Sequence, residues 1–174
     1  AHPPYPTPKR SWRTEFPDLY KLADTVLANG LCDATVPDPS RHCQFQAWIV
    51  NGTNLIETLP NQENTLKAIE ALQLLVVIDT MPMEITGWAD VVLPECTYLE
   101  RFDEIRTGPH RKPQIALRAP ASVPMYDTKP AFWMARELAK RLDLEAYFPF
   151  EKLEDQLDWQ LKQVGSSLEE MMRI

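Results

Sequence analysis

From residue 45 onward, short continuously apolar runs alternate with longer stretches in which apolar residues return every three or four positions. FQAWIV, residues 45–50, is such a run and stops at Asn51-Gly52-Thr53-Asn54, which reads as a strand entering a turn. LPNQENTLKAIEAL follows, with Leu66, Ile69 and Leu72 at helical spacing. LLVVIDT, residues 74–80, is apolar without alternation, as expected of a central parallel strand covered on both faces. Together these predict a strand, helix and strand. The interval from Thr80 to Trp88 has room for a short helix, with Pro82 tolerated in its first turn. ADVVLPE then predicts a third strand closed by Pro94.

Outside this core the signals are coarser. AHPPYPTPKR carries four prolines, a composition suited to an extended strap over residues 1–16. FPDLYKLADTVLANG reads as a helix, with Pro17 in its first turn, Leu19, Leu22, Val26 and Leu27 on one stripe, and Gly30 at its stop. CDATVPDPSRH is rich in turn residues. PQIALR at 113–118 is expected to add a strand, while KPAFWMARELAKRL and the 149–172 stretch are expected to be helical. The alternation predicts an α/β fold with a Rossmann-like, mostly parallel sheet and helices on both faces. Residues 17–148 would form that subdomain, and 149–174 a helical C-terminal segment.

Composition narrows the chemistry. With 174 residues, 44% of them hydrophobic, one core is affordable. A net charge of −7 argues against nucleic acid as a partner, because phosphate binding needs a clustered excess of Lys and Arg. Cys32, Cys43 and Cys96 are widely spaced and never form CxxC, so they read as buried or idle thiols and no metal ligand set is expected. No apolar stretch approaches the roughly 18 to 20 residues of a membrane span. The five glycines form neither GxGxxG nor a Walker loop, and no GxSxG or HExxH occurs.

Candidate chemistry therefore falls on the strand ends, where parallel sheets bind ligands. Two turns qualify, Asn51–Asn54 and Asp79–Met81, and the helix opening near Asn61 offers amides to a phosphate. A carboxylate such as Asp79 can take the N1–H and exocyclic amine of guanine in two parallel hydrogen bonds. Against this, an Asp after a strand often caps the next helix, and Asn-Gly-Thr-Asn often just turns the chain. Arg106-Thr107-Gly108-Pro109-His110-Arg111-Lys112 is basic within an acidic chain, and reads either as a solvated loop or as a surface for an anion. Glu95 and Glu100 are expected to orient loop backbone rather than act as acid and base. Trp48, Trp88, Phe132 and Trp133 are expected in the core or in domain contacts.

VNGTNLIETLPN, LLVVIDTMPMEITGWADVVLPECTYLER and KPAFWMARELAKRL together resemble consecutive segments of the dimethyl sulfoxide reductase family of molybdopterin oxidoreductases, over residues 44–145. LPECTYLERFD followed by TGPHRKP most resembles the polysulfide and thiosulfate reductase branch, although arsenate and tetrathionate reductases share similar text. The resemblance implies an internal segment of a catalytic subunit whose molybdenum is held by two molybdopterin guanine dinucleotides. In that setting Gly52, Thr53 and Asn54 would line one nucleotide, Asp79 and Thr80 would contact its guanine, and His110 and Arg111 would face the cofactor or substrate funnel. An iron–sulfur cluster would sit in an N-terminal part outside this chain. Partners would be the remaining domains of the subunit, an iron–sulfur electron-transfer subunit and a membrane anchor, at the outer face of the cytoplasmic membrane. No catalytic residue or metal ligand is expected here. The rivals are a stand-alone nucleotide-binding or regulatory module, and a scaffold that binds nothing.

Overall fold

A computed structural model describes Pro6 and residues 28–40, 44–108, 111–112 and 114–173. Residues 28–94 and 95–173 fall into two compact units, a division well ahead of the boundary at 148 that the hydrophobic pattern invites.

In the first unit, helix α1 (Ala28–Asp33) is the described end of the helix expected over 17–30, whose earlier part lies outside the described residues. It does not stop at Gly30, which is buried inside it. The stop comes from Thr35, whose hydroxyl donates to the Leu31 carbonyl at 2.7 Å and so satisfies one of the last free acceptors. Strand β1 (Ala47–Asn51) leads through the one-turn helix α2 (Leu55–Thr58) to helix α3 (Gln62–Glu70) and strand β2 (Leu74–Asp79). A 3-10 helix, Glu84–Trp88, connects to strand β3 (Val91–Pro94).

The sheet runs in the order β1-β2-β3, and both pairings are parallel. Trp48 and Val50 of β1 share a face with Leu75 and Val77 of β2, and this face packs on Cys32, Ile56, Ala68, Ile69 and Ile85. Full burial of each such aliphatic side chain contributes roughly 1.5–3 kcal/mol. The Trp48 indole N–H donates to the Thr35 hydroxyl at 3.0 Å, so the residue that ends α1 also satisfies the polar atom of the core tryptophan. Every described helix of this unit contributes to that one cluster. Two successive crossovers of one hand, stepping in one direction, must lie on one side of a sheet. On the other face Ile49 is 56% exposed and Val91 42%.

The second unit is less regular. Strands β4 (Arg106–Thr107) and β5 (Ile115–Ala116) form an antiparallel ribbon of their own. PQIALR therefore does not extend the parallel sheet. The link back from Thr107 is too short for a crossover, which needs a dozen residues or more. Helix α4 (Ala131–Arg141) begins after Pro130, which has no side-chain acceptor for the free N–H groups. The buried Glu95 accepts from Ala131 N at 3.3 Å instead and also pairs with Arg101, which reaches Asp103 at 3.2 Å. Helices α5 (Leu153–Lys162) and α6 (Leu168–Met172) follow, with Leu157 and Leu161 fully buried.

Candidate functional site

Parallel pairing places the ends of β1 and β2 side by side, Asn51 opposite Ile78, so their two exit turns share the carboxyl edge of the sheet. Gly52 donates its N–H to the Ile78 carbonyl at 2.9 Å and holds φ at +61°. That left-handed conformation turns the chain away from the sheet. Among the described residues, no atom beyond Gly52 and its chain neighbours lies within 4 Å of where a Cβ would stand on it, so the space above the turn is open there. Thr53 is half-buried, and Asn54 starts α2, its carbonyl accepting from Glu57 N at 3.1 Å and Thr58 N at 2.9 Å.

The side chains at this edge are unusual in what they leave unpaired. Asp79 is buried, 6% exposed. Its Oδ1 accepts from Thr80 N at 2.7 Å and Met81 N at 3.4 Å, the pattern of an Asx turn. Its Oδ2 is buried with no hydrogen-bond partner. The next helix begins only after Met83, so Asp79 does not cap it. Asn54 repeats the theme: its Nδ2 donates to Glu84, while its Oδ1 is buried without a partner.

A buried acceptor left unsatisfied costs about 1–3 kcal/mol. Two of them at the carboxyl edge of one parallel sheet define a place that accepts donors. Guanine presents an N1–H and an amine side by side, and ribose presents hydroxyls; an adenine edge offers a carboxylate no such pair of donors. The unpartnered Oδ2 of Asp79 and the open turn at Gly52 together leave a strand-end space that can take a ligand edge bearing N–H or O–H donors.

Of the residues singled out in the sequence, Gly52, Thr53, Asn54, Asp79 and Thr80 come together here. His110 lies outside the described residues, and Arg111 is exposed in the second unit. The opening of α3 near Asn61 is capped from within, Asn61 Oδ1 accepting from Asn64 N at 3.0 Å. Glu95 orients α4, and Glu100 clamps its loop by accepting from Thr97 N and Met125 N, both at 2.8 Å. Trp48 is in the core, whereas Trp88 and Trp133 are each nearly half exposed. Glu84 is the site residue that sequence patterns do not reveal, because its partner is 30 positions away.

Among the described residues no group of three or more His, Cys, Asp and Glu side chains is placed to hold a metal ion. No described helix is long and apolar enough to cross a membrane. A separate cavity of about 230 Å³ in the second unit is lined by Ile105, Ile115, Leu161 and Val164, with polar groups from Thr107, Gln160 and Gln163.

The chain is similar to known proteins along most of this length. It is 33% identical over 117 residues to the thiosulfate reductase molybdopterin-containing subunit PhsA of Salmonella typhimurium, covering 67% of this chain and 15% of that one. A nitrate reductase of Symbiobacterium thermophilum is 33% identical over 105 residues, 60% of this chain and 13% of the relative. Acetylene hydratase from Pelobacter acetylenicus shares the fold with a TM-score of 0.68 at 24% identity, over 84% of this chain and 20% of its own. The chain thus spans about a fifth or less of the length of these relatives. The description of the molybdopterin oxidoreductase family matches residues 32–141, a span that contains both strand-end turns, and the chain belongs to that family.

Proposed function

We propose that this chain is a segment of the catalytic subunit of a molybdenum oxidoreductase, in which it holds the guanine end of one molybdopterin guanine dinucleotide. The observation that carries the reading is the buried, unpartnered Oδ2 of Asp79 at the end of the central strand. Oδ2 so placed accepts an N–H of guanine directly, while Oδ1 stays with the turn and has only its remaining lone-pair capacity for the neighbouring donor. Gly52, Thr53 and Asn54 give the adjoining backbone and side-chain contacts. When bound, the cofactor supplies two-electron redox chemistry at its metal, and this segment binds and orients it.

The similarity to a thiosulfate reductase subunit supports a sulfur–sulfur substrate, thiosulfate or polysulfide, for the whole enzyme. On the same footing, the remaining domains of the subunit, an iron–sulfur electron-transfer subunit and a membrane anchor are its partners, at the outer face of the cytoplasmic membrane. His110 and Arg111 would serve the cofactor or the substrate funnel there.

Titration of the isotope-labelled chain with GDP, with ADP as control, tests the nucleotide reading through backbone amide shifts. GDP should move Asn51–Asn54 and Asp79–Met81, ADP should move them much less, and Asp79→Asn should abolish the difference. Equal responses to both nucleotides, or none at millimolar concentration, would overturn it.

A further inference from the structure

The Asn54 side chain has two ends of similar shape and opposite chemistry, an amide that only donates and a carbonyl that only accepts. Which end faces the strand-end space decides what that space can bind. Left to itself the carboxamide turns about its last bond and offers either. Here it is not left to itself, because Nδ2 is hydrogen-bonded to Glu84 Oε2, in the first turn of the 3-10 helix that follows β2. A carboxylate offers acceptors alone. The contact therefore permits one orientation, with Nδ2 toward Glu84 and Oδ1 away from it, and Oδ1 is then the buried atom without a donor.

We infer that Glu84 is a positioning residue of the nucleotide site: it locks the Asn54 carboxamide so that the edge presents acceptors from both turns, Asn54 Oδ1 beside β1 and Asp79 Oδ2 at the end of β2. This rests on the nucleotide reading above and adds to it a specificity device. A ligand edge bearing donors is matched at both turns, and one bearing acceptors meets no donor from Asn54. Glu84 is exposed, and its 3-10 helix has Ile85 as its buried anchor. The carboxylate is thus dispensable for packing.

The test compares Glu84→Ala, Glu84→Gln, Asn54→Ala and the double variant Glu84→Ala/Asn54→Ala in the isotope-labelled chain. Without any ligand, the Asn54 side-chain NH2 signals should be shifted from free-amide positions in the wild type, should lie between the two in Glu84→Gln, whose amide can either accept from Nδ2 or donate to Oδ1, and should collapse to free-amide positions in Glu84→Ala. With GDP, Glu84→Ala should weaken binding roughly five- to tenfold, Glu84→Gln by a smaller but clear factor because its amide allows both Asn54 orientations, and the double variant no more than Asn54→Ala alone, since Glu84 acts through Asn54. Melting temperatures should stay together. Free-amide signals in the wild type, or losses that add in the double variant, would overturn the positioning role. Failure of GDP to bind the wild type would instead remove the guanine reading and leave the NH2 signals to decide the lock.

Discussion

Asp90 and Leu75 hold each other in both directions. Asp90 N donates to the Leu75 carbonyl at 2.9 Å, and Leu75 N donates to the Asp90 carboxylate at 2.7 Å. The pair sits where β3 begins beside β2, one step before the Val76–Val91 pairing that opens the parallel ladder. An aspartate before the apolar run of β3 thus sets the register that brings Pro94 opposite Asp79.

Removing that carboxylate should be felt in stability. Leu75 is 1% exposed, so Asp90→Ala leaves its N–H without the acceptor and should cost about 1–3 kcal/mol. Asp90→Asn keeps an acceptor oxygen and should cost about half as much or less. Urea unfolding of the three proteins checks this, and equal midpoints would show that water replaces the carboxylate without loss.

Gly52 makes a second prediction, about backbone alone. Its φ of +61° is unfavourable for residues with a Cβ, and among the described residues nothing beyond its chain neighbours lies close enough to that Cβ position to add a steric contribution. Gly52→Ala should therefore cost roughly 1–2 kcal/mol, and Gly52→Asn clearly less, because asparagine tolerates the left-handed region. A denaturation series at constant m-value separates the two. A larger loss for Asn than for Ala would mean that the turn is selected for something other than its dihedral angle.

Much of this was legible in the one-dimensional pattern, and the exceptions have physical reasons. LLVVID announced a parallel strand through its unbroken apolar run, but the expected cover is complete on one face alone, where Leu75 and Val77 are buried while Ile49 and Val91 on the other face are exposed; Asn51-Gly52 announced a turn through its φ requirement. The end of α1 was misplaced at Gly30 because its actual terminator, Thr35, works through a side-chain bond to Leu31 and a second one from Trp48. PQIALR has the composition of a strand, yet composition does not say with which strand it pairs. The candidate site divides in the same way. Asp79 was visible from its position at a strand end, whereas Glu84 matters only through Asn54, a contact that the fold creates.

Acid should loosen the second unit through Glu100. Backbone N–H groups of Met125 and then Thr97 hold its carboxyl below the ordinary value of 4.5. A depressed folded pKa means that the contribution is present above the unfolded pKa and disappears as pH falls through the folded one. Glu100→Gln should therefore lower the melting temperature at neutral pH and converge with the wild type as pH drops from about 5 to about 3. Parallel curves over that range would show that the loop clamp does not depend on charge.

The two faces of the parallel sheet should answer a charge very differently. Val77 is fully buried on the face that packs against the helices, and Ile49 is 56% exposed on the other, paired in register with Val76, which in turn is paired with Val91. Val77→Lys places an ammonium where no partner or water can reach it and should prevent folding. Ile49→Lys should change stability by no more than about 0.5 kcal/mol, as ordinary surface substitutions do, while reducing the binding of an apolar dye to the folded chain. Parallel strands are ordinarily covered on both sides, so a large destabilisation by Ile49→Lys would reveal that this face is closed in solution, and a small one leaves it as apolar surface that the rest of a longer subunit can cover.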